Sequence, residues 1–317
     1  DRLKQDLTED LQRALVDKPF RKIMRQAQQL LLSPNSDIEA NLEALGSIDN
    51  EMLASYMNNL SQQWQAEVML AGNYRRTDAT TMANKIRHLL PETVSAFIPP
   101  QVSVQRVNCS QACQGQQPVE ENDSAVLVYL QGPDNSDLAR VDMAILANML
   151  QSPFFQSLRT EQQLGYVVGA YPYSLFGYPG IALLVQSPSA SVDQIQTAIS
   201  EFNANFVSQD VAQVCQAMSL SAAAVATQWS EKPKNFAEQV GEYWQDLQYG
   251  ELNFDSKQRL ASLAASRQCD DWRVTGFDVL AESYPHRFVL EAAGKHSQQS
   301  ASVISKDAWQ EVKVGRK

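Results

Sequence analysis

Histidine is scarce in this chain of 317 residues, which has only His88, His286 and His296. No two of them stand four residues apart, so HExxH and its inverted form HxxEH are both absent. A catalytic zinc needs three protein ligands and an open position, and no His, Glu and Cys cluster in the sequence supplies them. His88 falls near a predicted helix C-terminus, and His286 and His296 flank the last predicted strand; all three read as structural. Also missing are the GxSxG elbow, the GxGxxG turn and the P-loop, and no cysteine has a neighbouring histidine. Those absences remove the common serine and cysteine nucleophile motifs and the phosphate cradles of nucleotide binders.

Long apolar runs and positive charge are also in short supply. No window of about 18 apolar residues occurs, so no membrane-spanning helix is expected. The 26 basic residues are outnumbered by 36 acidic ones, for a net charge of -10. A nucleic-acid partner needs a clustered positive surface. The basic groups at Arg21, Lys22, Arg25 and the Lys313–Lys317 end are small enough to be a solvated helix face and a tail.

What is present suits a folded α+β chain. The composition is 44% hydrophobic and 20% charged, enough for a sizeable core and two domains. Leu3, Leu7, Leu11 and Leu15 form an amphipathic stripe from the first turn, and a chain that opens inside a helical pattern reads as part of something longer. Helices are predicted over 2–17, 20–32, 36–45, 49–63 and 77–90, with "SPNSD" and "GSIDNE" as cap signals. "AEVMLAGNY" (66–74) reads as a strand, and the polar stretch 92–122 as an extended connection.

The second half opens on "SAVLVYLQG" (124–132), a continuous apolar run of the kind found in strands covered on both faces. An amphipathic helix is predicted over 136–151. A second follows it, with Ser152 as N-cap and Pro153 at its first position. "GYVVGAYPYSL" and "GIALLVQSP" read as antiparallel strands joined through "FGYP". Helices are expected at 191–208, 210–229, 233–249 and near 256–266, with a strand over 287–295. "AEVMLAGNY" and "RFVLEAAGK" echo each other faintly, which suggests two modules of one α+β type, the first lacking its opening strands. The four cysteines, Cys109, Cys113, Cys215 and Cys269, fit disulfides in an oxidising compartment and equally fit four buried thiols.

One constellation carries chemistry. If 153 to about 162 is helical, Phe155 and Arg159 share a face at i and i+4. Tyr166, just past Gly165, could point at the same space beyond the helix end. A phenol and a guanidinium together can stabilise a developing oxyanion. On spacing alone the plainer reading also stands: Phe155 in the core, Arg159 paired with Glu161 or a neighbour, Tyr166 packed in a sheet.

"PFFQSLRTEQQLGYVV", followed by a hairpin ending in "LLVQSP", resembles the C-terminal half of the pitrilysin and insulin-degrading-enzyme family of zinc metallopeptidases. The resemblance implies an α+β fold of two related domains, each an antiparallel-rich mixed sheet packed with helices, the first incomplete. Residues 1–95 would be the later part of the family's third domain, 96–121 the connection, 122–292 the fourth domain and 293–317 a C-terminal tail; the Ser, Gln and Lys content of 296–317 leans towards a loose one. It implies that Tyr166 and Arg159 reach into the active site to contact substrate and transition state, and that Phe155 lines the substrate pocket. It also implies a zinc ion, bound through HxxEH by an N-terminal half of the same enzyme, as cofactor for the cleavage of enclosed peptide substrates. This segment lacks that motif and is expected to be inactive alone. Scaffolds and peptide-binding modules on the same fold are the alternative. Within the family, the many glutamines, the paired cysteines and the acidic balance point to a bacterial periplasmic member. The acidic balance would suit a chamber favouring basic peptides.

Overall fold

The protein is described from a computed structural model, which defines residues 2–35, 37–60, 67–89, 102–109 and 113–314. In chain order the elements are α1 (Arg2–Leu15), α2 (Pro19–Leu31), β1 (Leu32–Ser33), α3 (Ile38–Ser47), α4 (Asn50–Leu60), α5 (Arg76–Leu89), β2 (Ser103–Arg106), β3 (Gln114–Pro118), β4 (Ser124–Gln131) and α6 (Asp137–Phe155). A π-helical turn, Gln156–Glu161, extends α6. Then come β5 (Val167–Pro172), β6 (Gly180–Ser187), α7 (Val192–Val207), α8 (Val211–Ser230), α9 (Phe236–Tyr249), α10 (Ser256–Ser266), α11 (Cys269–Gly276), β7 (Arg287–Ala293) and β8 (Gln310–Lys313). The contacts divide the chain into two units: Asp1–Ala14, Ser36–Gln101 and Pro233–Gln245 form one, and Leu15–Asn35, Val102–Lys232 and Asp246–Lys317 the other.

The first unit is helical in its described residues. Asp37 caps α3 by accepting the Ala40 N–H at 2.9 Å. Lys4 of α1 donates to the carbonyls of Gly46 and Ile48 at 3.0 and 2.8 Å, so a cation meets the carbonyl end of α3. No residue of α1, α3, α4 or α5 is buried, and Leu3, Leu7 and Leu15 of the predicted stripe are exposed. Residues 67–74 do not form the expected strand, and residue 66 lies outside the described ones. A strand needs a neighbour to take its backbone bonds, and among the described residues none pairs with this stretch.

The second unit is built on a mixed sheet of order β3-β7-β4-β6-β5, in which only the β3–β7 pairing is parallel. All eight residues of β4 are buried, as the unbroken apolar run predicts. Their side chains alternate: Val126, Val128 and Leu130 enter the core with α6, α7, α8 and α10, while Ala125, Leu127 and Tyr129 pack with α2. The β5–β6 hairpin is antiparallel as expected, and its turn puts Phe176 and Gly177 at φ 48° and 82°. A small antiparallel sheet, β1-β2-β8, completes the unit.

Three readings of the sequence need revision. The two helices predicted on either side of Ser152 are one, with Pro153 inside α6. The buried Phe154 anchors that segment against Phe202, ring centroids 5.1 Å apart, so packing overrides the break. The stretch read as a connection carries β2 and β3, while its residues 92–101 and 110–112 lie outside the described ones. The C-terminal residues are anchored: Ile304, Trp309 and Val314 are buried, Trp309 stacks on Phe288 at 5.9 Å, and β8 pairs with β2. The cysteines are bonded as Cys109–Cys113 and Cys215–Cys269. No helix among the described residues is long and apolar enough to cross a membrane.

Candidate functional site

The π-helical turn after α6 decides how the chain reaches Tyr166. Its wider bonding, Gln162 N–H to the Ser157 carbonyl at 3.0 Å, carries the chain into Leu164, whose N–H reaches the Leu158 carbonyl at 3.0 Å. Gln163 is left-handed at φ 52°. Position 165 must be glycine, because a Cβ there would stand 1.9 Å from the Gln186 carbonyl oxygen of β6. Arg159 Nη1 donates to the Gly165 carbonyl, tying the π-turn to this close approach.

Tyr166 stands one residue before β5 rather than inside it. Its hydroxyl donates to Asp123 Oδ2 at 2.7 Å. Gln186 Nε2 donates to the same carboxylate oxygen at 2.8 Å and to the phenol oxygen. The Gln186 Oε1 in turn accepts the Phe20 N–H at 2.9 Å, so the first turn of α2 fixes which way the amide faces. Lys18 Nζ lies 6.0 Å from the centre of the Tyr166 ring. Partial burial, and after it the hydrogen bond to Asp123 and that carboxylate's charge, raise the Tyr166 phenol above its ordinary value, against an opposing Gln186 amide. The phenol therefore keeps its proton at neutral pH and can act as a hydrogen-bond donor. The ring is 46% exposed.

Arg159 and Tyr166 are joined through the Gly165 backbone, since the first holds the carbonyl that precedes the second. Arg159 is half-buried and makes no ion pair among the described residues; Glu161 instead accepts from Gln156 Nε2 at 3.4 Å. Phe155 is 47% exposed, so it is not a core residue. Asp123, Gln186 and the Phe20 amide were not singled out in the sequence. The one signal was a lone polar residue inside the apolar run "LLVQSP".

Two of the three histidines take structural partners: His88 Nδ1 lies 2.6 Å from the Asn84 carbonyl, and His286 Nδ1 meets the Val107 carbonyl at 2.5 Å. Among the described residues no group of three or more His, Cys, Asp or Glu could hold a metal ion. The described residues therefore offer zinc no donor set.

A family profile described as PQQ synthase PqqF-like, C-terminal lobe domain 4, matches residues 145–244, the stretch that holds Arg159 and Tyr166. Insulin-degrading enzyme-like 1, peroxisomal, from Arabidopsis thaliana is 23% identical over 286 residues, 87% of this chain and 29% of its own length. Protease 3 from Escherichia coli strain K12 is 25% identical over 253 residues, 77% of this chain and 25% of its own. The crystal structure of pitrilysin shares the fold with a TM-score of 0.80 at 20% identity, over 99% of this chain and 35% of that one. The chain is similar to these peptidases over most of its length, and to a PqqF-like C-terminal lobe over residues 145–244. The chain spans less than a third of the length of the two curated relatives, at 29% and 25%.

Proposed function

We propose that the chain is the C-terminal, non-zinc-binding half of a zinc metalloendopeptidase that encloses and cleaves small peptides and polypeptides. Zinc would be held by the N-terminal half of the same enzyme and would activate the attacking water when bound. This chain contributes the groups that face it. Tyr166 transfers its hydrogen bond from Asp123 to the carbonyl oxygen of the scissile bond, where negative charge develops. The Gln186 amide donates into the phenol oxygen and polarises the O–H. Arg159 adds positive field, and Phe155 offers an apolar contact to the residue beside the cleaved bond.

The observation that carries this reading is the state of Tyr166: a half-exposed ring whose phenol is kept protonated and aimed by three other groups. One good oxyanion donor is worth about 3–4 kcal/mol. In the joined enzyme, Tyr166→Phe is expected to lower kcat by roughly 10²–10³ while KM changes little. Arg159→Ala is expected to lower kcat less. The two disulfides favour an oxidising compartment, and the bacterial periplasm is the proposed setting.

A second reading, a catalytically inactive scaffold or peptide-binding module, draws on one observation. Arg159 and Tyr166 both already have partners within the chain. It predicts that the two substitutions lower Tm and that the joined protein cleaves no peptide with or without them.

A further inference from the structure

Helix α7 and the β3–β7 edge of the sheet border a pocket of about 240 Å³. It shares no residue with the Arg159–Tyr166 site, whose strand β5 lies at the other edge of the sheet. Strand alternation puts Arg287, Val289 and Glu291 on one face of β7, with Gln196 and Ser200 one helical turn apart on α7.

Arg287 lines this pocket half-buried, and its side chain makes no hydrogen bond or ion pair among the described residues. Burial holds its guanidinium below the usual range, with the Glu282 carboxylate opposing that shift. A cation removed from water without a partner is unfavourable, and an anion placed beside it offsets that cost.

The other groups narrow the choice of anion. Glu291 is fully buried, and its oxygens already accept from Gln114 Nε2 at 2.9 Å, Gln116 Nε2 at 2.7 Å and Gln196 Nε2 at 2.5 Å. Gln114 and Gln196 line the pocket; each has one amide N–H committed to Glu291 and keeps a second N–H and its carbonyl oxygen. Ser200 adds a hydroxyl, and Glu282 is exposed on the lining. One cation with a single carboxylate, Glu282, on the lining suits a ligand that carries one carboxylate and an N–H donor, and it disfavours phosphate and dicarboxylates. Water occupies about 30 Å³ per molecule in the liquid, so the pocket has room for roughly one amino-acid residue.

We propose that this pocket binds the α-carboxylate end of an amino acid or peptide, with Arg287 pairing with the carboxylate and Glu282 favouring the adjacent ammonium or amide N–H. The proposal does not rest on the peptidase reading, and its test involves no catalysis.

Calorimetric titration of the chain with four probes decides it: alanine, acetyl-Ala-Ala with a free C-terminus, the same peptide amidated, and inorganic phosphate. The free acid is expected to bind at least tenfold more tightly than the amide or phosphate. Alanine binding more tightly than the peptide assigns the site to free amino acids, and the reverse order to peptide ends. Arg287→Gln is expected to weaken binding at least tenfold, with Arg287→Lys intermediate. If Arg287→Gln fails to fold, Ser200→Val, which fills the space and leaves the charge, is expected to weaken binding as much. Equal affinity for acid and amide, tighter binding of phosphate, no binding of any probe at millimolar concentration, or unchanged affinity in these variants overturns the proposal.

Discussion

A methyl group at position 165 would meet the Gln186 carbonyl oxygen at 1.9 Å, and the residue that follows is Tyr166. The phenol is placed by that contact and then aimed by Asp123 and Gln186. Gly165→Ala is expected to cost about 1–3 kcal/mol of stability, as overpacking of a tight site does. Chemical denaturation measures it, and an unchanged midpoint would mean that the approach relaxes freely. Asp123 raises the phenol pKa through its hydrogen bond and its charge. Asp123→Asn removes the charge, so the Tyr166 pKa is expected to fall towards its ordinary value while the burial contribution stays. Ultraviolet titration against Tyr166→Phe reads that shift, and an unmoved pKa would place Asp123 outside the network.

At the scale of elements, the Cys215–Cys269 bond clips α8 to the start of α11 across 54 residues, whereas Cys109–Cys113 spans only 4. By loop-closure entropy the long clip stabilises by about 4 kcal/mol and the short one by about 2. The double Cys→Ser variant at 215 and 269 is therefore expected to lose more stability than that at 109 and 113. Glu291 of β7 gives a pH signature. Burial raises its pKa, outweighing the amides of Gln116, Gln114 and Gln196, while the Asp193 charge also raises it. The folded chain then holds a proton that the unfolded chain releases, so stability falls as pH rises from the ordinary carboxylate value through the raised one. Glu291→Gln is expected to flatten that slope in denaturation measured across pH; an identical slope would assign it elsewhere.

Much of this level was legible in the sequence. Apolar periodicity located α7, α8, α9 and α10, and the unbroken run gave β4, because burial on one or both faces is written in residue spacing. The misreadings came where tertiary contact decides. Pro153 stays inside α6 because Phe154 is buried. The tail is held by three apolar residues scattered among polar ones. α11 is eight residues long, too short to show a period around its buried Trp272. The phenol and guanidinium were legible as a pair; Asp123 and the Phe20 amide, 43 and 146 residues from Tyr166 in sequence, were not.

At the scale of the whole molecule, the proposed active site is divided between two halves of one enzyme. The described residues of this chain offer no metal donor set, and its Tyr166 is a protonated donor without a nucleophile beside it. The most direct test compares peptide cleavage and bound zinc for this chain alone and for the chain joined to its upstream half. The account predicts no cleavage and no stoichiometric zinc for the chain alone, and both restored on joining. One equivalent of zinc and peptide cleavage retained by the chain alone would contradict it.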